Sequence, residues 1–203
     1  MALKQFKPYT KSSRSTILVD RSGLWKGKPF KSLTSPNKSV KGRNNMGRIT
    51  SRNHGGGHKQ KYRIIDFYRK KSDVFGTIER IEYDPNRSCH IMLVKFDDGE
   101  MAYYLAPQKI KVGDKIKNGS NAEIKVGNSL PLKDIPVGIN IHNIELQPGA
   151  GGKIARAAGA HVTISGTDGN YSIIKMTSGE VRKIDSRCLA TIGVISNPDQ
   201  KNI

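Results

Sequence analysis

Acidic residues are nearly missing from the first third of this 203-residue chain. Residues 1–71 hold 19 of its 35 Lys and Arg but only two acids, Asp20 and Asp66, a net of +17. Residues 72–203 hold 16 basic residues against 15 acids. Charge of one sign at that density repels itself and needs a polyanion to order it. Cysteine is also scarce. Cys89 and Cys188 cannot make a disulfide framework, which points to a reduced compartment. No apolar run approaches the roughly 18 residues of a spanning helix. Near the N-terminus only Ile17-Leu18-Val19 is apolar, too short for a secretory signal. Pro8 and scattered glycines rule against the long amphipathic helix of a transit peptide.

With 21 Gly and 9 Pro, short strands and turns are expected rather than helices. Residues 1–59 read as an extended arm whose densest stretch, Lys41 to Lys59, has neither helical nor strand period and is expected to be disordered alone. From Tyr62 the texture changes. Strands are expected at Tyr62–Tyr68, Val74–Tyr83, Cys89–Phe96, Glu100–Leu105 and Val112–Ile116, with Asp97-Asp98-Gly99 as a hairpin turn. Five short strands suit a small barrel, which removes exposed edges. Leu130–Gly138, with two prolines, reads as a linker. A second series follows at Ile139–Leu146, His161–Ser165, Tyr171–Met176, Val181–Ile184 and Ala190–Ile195, a second small barrel. The domain reading is therefore all-β, with an arm (1–59), two barrels (60–127 and 128–197) and a short tail (198–203).

Enzyme-like signals fail one by one. Gly149-Ala150-Gly151-Gly152-Lys153 lacks the leading Gly of a phosphate-binding P-loop, because Gln147 stands there. It also lacks the Ser or Thr after Lys, because Ile154 stands there. What survives is backbone N–H groups beside Lys153 and Arg156 that could approach phosphates; the plain alternative is a flexible turn. His54, His58, Cys89 and His90 lack the paired spacing of a zinc site. No metal or cofactor is expected, with Mg²⁺ entering only as an RNA counterion, and His54 and His58 read as RNA donors or ordered loop residues. Cys89 and His90 should point to opposite faces of a strand, unlike a nucleophile and its base. Glu82 and Asp84 share a strand face, and Asp84-Pro85-Asn86 reads as plain turn chemistry.

The nucleic-acid pattern is stronger. Arg43, Arg48, Arg52, Lys59, Lys61, Arg63, Arg69, Lys70 and Lys71 concentrate positive charge. Gly42, Gly47, Gly55, Gly56 and Gly57 permit close backbone approach. Asn44, Asn45 and Asn53 can bond base edges or 2′-hydroxyls, and Tyr62, Phe67 and Tyr68 could stack on bases. A nuclear-localisation run would be shorter and poorer in Gly and Asn, and a membrane-surface helix would show an amphipathic stripe.

These residues carry a resemblance to a known family. The opening Met1-Ala2-Leu3-Lys4, Asp20 to Pro29, Gly42-Arg43-Asn44-Asn45, Gly55-Gly56-Gly57-His58-Lys59, Tyr83 to Ser88, Pro136-Val137-Gly138, Asn143 to Leu146, Arg156 to Gly159, Ser178-Gly179-Glu180 and Ala190 to Gly193 resemble the universal large-subunit ribosomal protein two family, of bacterial or mitochondrial type. The resemblance implies an rRNA-binding N-terminal extension, an OB-fold barrel and an SH3-like barrel. It implies binding of large-subunit rRNA near the peptidyl-transferase region, support for subunit assembly and association, neighbouring ribosomal proteins as partners, and no catalysis. It also implies that Arg87 and Arg156 contact RNA from the folded body. Their near-neutral surroundings suggest exposed guanidinium groups, whose removal should each weaken binding by ~1–3 kcal/mol without unfolding the barrels. The family continues into a basic tail with a His-Pro-His-Gly-Gly-Gly signature, whereas this sequence stops at Ile203. A second polypeptide supplying that part is the expectation. The motif beginning at Met1 and the frequent Lys, Asn and Ile suggest a mitochondrial ribosome, with the bacterial cytoplasm as the alternative.

Overall fold

The computed structural model describes residues 3–37 and 40–203; Met1 and Ala2 of the opening motif lie outside them. Among the described residues the fold is all-β, with short 3₁₀ turns and no α-helix. Four strands precede the first large sheet: β1 (Leu3–Gln5), β2 (Ile17–Val19), β3 (Thr34–Pro36) and β4 (Lys61–Arg63). They pair as two antiparallel ribbons, β1 with β2 and β3 with β4. The first large sheet contains β5 (Phe75–Glu82), β6 (Ile91–Phe96), β7 (Met101–Leu105) and β8 (Lys115–Lys117), in the order β7-β6-β5-β8. The second half supplies β9 (Ser129–Pro131), β10 (Asn140–His142), β11 (Ile144–Glu145), β12 (Gly152–Ile154), β13 (Val162–Asp168), β14 (Tyr171–Met176), β15 (Val181–Asp185) and β16 (Leu189–Ile192). Six of these form a sheet ordered β15-β14-β13-β10-β16-β9, while β11 and β12 pair separately.

The strand at β6 is buried on both faces, so it reads as a continuous apolar run rather than an alternation. Ile91 and Leu93 join one apolar cluster with Ile65, Tyr103 and Ile195. Met92, Val94 and Phe96 join another with Ile78, Tyr104 and Ile116. Phe30, Leu33 and Phe67 pack against the first cluster, and the Tyr103 hydroxyl accepts the Phe30 N–H at 2.9 Å. Trp25 adds a bridge to Glu82. The arm is thus partly a cover for a sheet face.

Two sequence expectations need revision. Leu130–Gly138 is not a bare linker: β9 pairs with β16, and Leu130, Leu132 and Ile135 are buried in the second core. The prolines fit because Pro131 ends an edge strand. The basic stretch from Gly42 is not without local order either. Gly42 O accepts Thr50 N (2.9 Å) and Ser51 N (3.1 Å), and Asn44 O accepts Gly47 N at 3.0 Å. The Asn44 side chain closes the turn by accepting Met46 N and Arg48 N. At Gly42 φ is +61°, and a Cβ there would stand 2.1 Å from Ser51 O, so turn chemistry outweighs charge repulsion locally.

The two halves meet through a polar seam. Residues directly opposed across antiparallel strands share a face. Ile141 opposes Ile192 and Ala190 opposes Leu130, all in the second core. The intervening row, His142, Thr191 and Ser129, therefore occupies the outer face, yet each is at most 1% exposed. Ser129 bridges to Asn118 of the first half, and its carbonyl accepts Gly119 N. His142 Nδ1 donates to Gly193 O at 2.8 Å.

Burial holds both interior histidines below their ordinary value of 6.5, at about 4 for His142 and about 4 for His90. The unfolded chain binds those protons more readily. Folding stability should therefore be fully present above pH 6.5 and fall as pH drops towards 4, with up to two protons taken up on unfolding. Urea midpoints between pH 7.5 and 4 test this; a flat profile would mean that the histidines ionise freely in the fold.

Candidate nucleic-acid interface

Phe67 is the centre of the arrangement. It follows β4, beyond the point where Ile65 bridges to Tyr103, and its carbonyl accepts Gly152 N at 2.9 Å. That bond ties the first half to the glycine loop of the second. The Arg156 guanidinium lies 4.6 Å from the Phe67 ring centroid, and that of Arg87 lies 5.8 Å from it. The two arginines, 69 positions apart in sequence, are thus gathered on one aromatic ring, where attraction between cation and ring face offsets part of their mutual repulsion. Tyr62, 5.8 Å from Arg87, and the half-exposed Tyr68 extend the shelf. Lys70 Nζ stands 5.4 Å from the Tyr68 ring, and Lys61, next to Tyr62, and Lys153, next to Gly152, are exposed.

The two arginines are not equivalent. Arg156 is exposed, with one guanidinium nitrogen donating to Gly152 O at 3.3 Å. It meets the expectation of an open cation. Arg87 does not: its side chain is 17% exposed and donates from Nε to Asp84 Oδ2 at 2.6 Å, and the Asp84 side chain is fully buried. The Asp84 carboxylate also accepts Asn86 N at 2.9 Å. Near-neutral net charge in this half conceals a specific internal partner.

The glycine loop differs from its expectation in the same way. Its N–H groups are not bare. Glu145, 1% exposed, accepts Gly149 N (3.1 Å), Gly151 N (3.0 Å) and Leu189 N (3.0 Å). The anion that this backbone nest holds is the protein's own carboxylate. Gly151 has φ +75°, and a Cβ there would press on the Tyr68 ring at 3.2 Å. The loop acts as a spacer that brings Arg156 onto the shelf.

Arg69 is the clearest departure. It is 4% exposed, stacks 3.7 Å over Tyr104 and donates to Asn118 Oδ1 at 3.2 Å. Burial pushes its guanidinium down, against the stabilising influence of Tyr104 and Asp66. It joins the polar seam and does not present itself to an external polyanion. Arg63 is half-buried and donates to Lys61 O. Lys71 is held by Asp98 and Glu100.

The remaining candidates stay on the surface of the arm. Arg43, Asn45, Arg48, Arg52, His54, Gly55, Gly56, Gly57, His58 and Lys59 are all exposed. Asn44 is exposed too, but its side-chain oxygen is used within the turn. A cleft of about 310 Å³ opens among Lys41, Arg43, Arg52 and His54. Two stacked pairs escaped the sequence reading: Arg21 lies 3.7 Å over Tyr83, and Arg80 lies 4.9 Å from the half-exposed Trp25. The only tryptophan of the chain, next to Lys26, was the available signal.

Three substitutions separate these roles. Arg156→Ala should leave the urea midpoint near wild type. Arg87→Ala should cost about 3–5 kcal/mol of stability, because it strands a buried carboxylate. Glu145→Ala should cost at least about 2 kcal/mol by leaving loop N–H groups without their acceptor. Equal midpoints for the Arg87 and Arg156 variants would contradict the assignment.

Comparison with known proteins identifies the family of this all-β chain. Residues 30–118 match the family described as Ribosomal Proteins L2, RNA binding N-terminal domain, and residues 125–203 match Ribosomal Proteins L2, C-terminal domain. A large ribosomal subunit protein uL2 of Pelagibacter ubique is 79% identical over 204 residues, covering 100% of this chain and 73% of the relative. Those of Granulibacter bethesdensis and Rickettsia typhi are 59% and 56% identical over 203 residues, each covering 100% of this chain and 74% of the relative. With two family domains in tandem and identity along its whole length, the chain belongs to the ribosomal protein L2 family.

Proposed function

We propose that this chain is a structural constituent of the large ribosomal subunit that binds large-subunit rRNA and has no catalytic activity of its own. The carrying observation is the Phe67 shelf, which gathers Arg87 and Arg156 from distant parts of the sequence, in a chain whose arm cations and Lys153 are exposed. Arg156 and Lys153 serve as phosphate contacts, and the arm threads along the RNA with glycine backbone against the sugar–phosphate chain. The finer reading has the rRNA near the peptidyl-transferase region, a role in subunit assembly and association, and contacts with neighbouring ribosomal proteins. No cofactor enters, and Mg²⁺ acts as an RNA counterion. About a quarter of each relative's length lies outside the matched part. In this reading that part, on this polypeptide or a second one, works alongside Ser196–Ile203. The relatives named above are bacterial, and the compartment follows the ribosome, read as a mitochondrial ribosome with the bacterial cytoplasm as the alternative.

Filter binding to large-subunit rRNA as a function of salt tests the reading. Affinity should fall by roughly 10³-fold or more between 50 and 200 mM salt, as expected for several phosphate contacts. Arg156→Ala should weaken binding by about 1–3 kcal/mol and flatten the slope by close to one contact. A salt-insensitive affinity, or unchanged binding by this variant, would contradict it.

A further inference from the structure

Away from the Phe67 shelf, a cavity of about 460 Å³ lies where the arm meets several parts of the folded body. The arm forms its lip through Asp20, Ser22, Gly23 and Leu24, the first large sheet contributes Ile81, His90 stands just ahead of β6, and the segments around Gln108 and Asn197 close it. We propose that this cavity receives one unstacked, amino-bearing nucleobase of the bound rRNA. The inference rests on the rRNA-binding reading and deepens it by naming a site for a single base.

Size and chemistry both fit. The volume is within the range of small-ligand pockets, which are apolar with a few placed polar groups. Ile81, Ile110 and Pro198 provide flat apolar contact. Asn197 lines the cavity and is 3% exposed. Its amide is fixed, because Nδ2 donates to Ser88 O at 2.7 Å and to Gln200 at 3.1 Å. Gln108 adds a second amide.

Asp20 decides between a base and a phosphate. Its carboxylate accepts Ser22 N at 2.9 Å and Ser22 Oγ at 2.7 Å, and these bonds hold it below the usual carboxylate range. An ionised carboxylate at the lip repels a phosphate group but accepts from the exocyclic amine of adenine or cytosine. Exposed Lys109, adjoining Gln108 and also lining the cavity, can take the phosphate of the same nucleotide outside. The stacked Arg21–Tyr83 and Arg80–Trp25 pairs belong to the same arm segment or to the strand beneath it, which suits a single strand passing over the lip.

Gly23 permits a direct test. A Cβ placed there meets no atom within 4 Å, and its backbone is not in the left-handed region. Gly23→Trp therefore adds bulk at the lip with no clash at its Cβ. The full chain, Gly23→Trp and Gln108→Ala would each be bound to large-subunit rRNA and probed with dimethyl sulfate, which modifies unpaired adenine and cytosine. The wild-type chain should protect one isolated unpaired base. Both variants should raise that base's reactivity by about tenfold, the scale of one lost base contact, while filter-binding affinity changes far less. Loss of all protection even with the wild-type chain would instead defeat the rRNA-binding reading. Normal binding with no base whose reactivity responds to either variant would overturn the pocket alone. So would a benzoylphenylalanine crosslink from position 23 in assembled subunits that lands on protein rather than RNA, which would make the occupant a peptide.

Discussion

The pairing of Asp84 with Arg87 shows the constraint on which the rest of this structure depends. A chain with a net charge of +18 must hold cations close together, and it does so by placing carboxylates inside. Asp84 fixes Arg87 from below. Glu82, 3% exposed, pairs with Arg80 at 2.7 Å and accepts the Tyr103 hydroxyl at 2.9 Å. Glu145 fills the glycine loop that brings Arg156 onto the shelf. A buried pair of this kind is weak evidence of net stability, because desolvation opposes the attraction. Its effect is geometric: it holds a guanidinium in one place, against one ring, where a solvated arginine would sample many positions.

The same logic governs the join between the halves. An apolar interface could slide, whereas the row His142–Thr191–Ser129–Asn118 is pinned by directional contacts: the Asn118–Ser129 bridge, the Gly119 N–H on the Ser129 carbonyl and the His142 Nδ1 bond to Gly193 O. Arg69 extends this row towards Tyr104. The Phe67 carbonyl bond to Gly152 makes the shelf a product of both halves. Arg156 could not stand beside Arg87 if the second half turned against the first.

Much of this was legible in the sequence, for identifiable reasons. Tyr171–Met176 was read with the bounds that the strand has, because turn dipeptides mark both of its ends. The charge asymmetry located the cationic arm, and the failed P-loop spacing pointed away from nucleotide chemistry. What could not be read were long-range partners. Nothing local distinguishes Arg69 from its neighbour Lys70, yet one is buried on Tyr104 and the other is exposed. Burial of Arg87 by Asp84 needed the turn geometry, and occupation of the glycine loop by Glu145 needed the β11–β12 pairing. Composition near zero charge hid these pairs, because an internal ion pair and an open neutral surface look the same in a sum. Leu130–Gly138 misled through its prolines, which mark an edge strand as readily as a linker.

The central claim is that interior carboxylates assemble a fixed cationic shelf around Phe67 for RNA. An electron cryomicroscopy structure of the assembled large subunit containing this chain tests it most directly. The account predicts an rRNA phosphate within hydrogen-bond reach of Arg156 and Lys153, with Arg87 still paired to Asp84 beside Phe67. A shelf that faces solvent or another protein, with rRNA bound only along the arm, would contradict it.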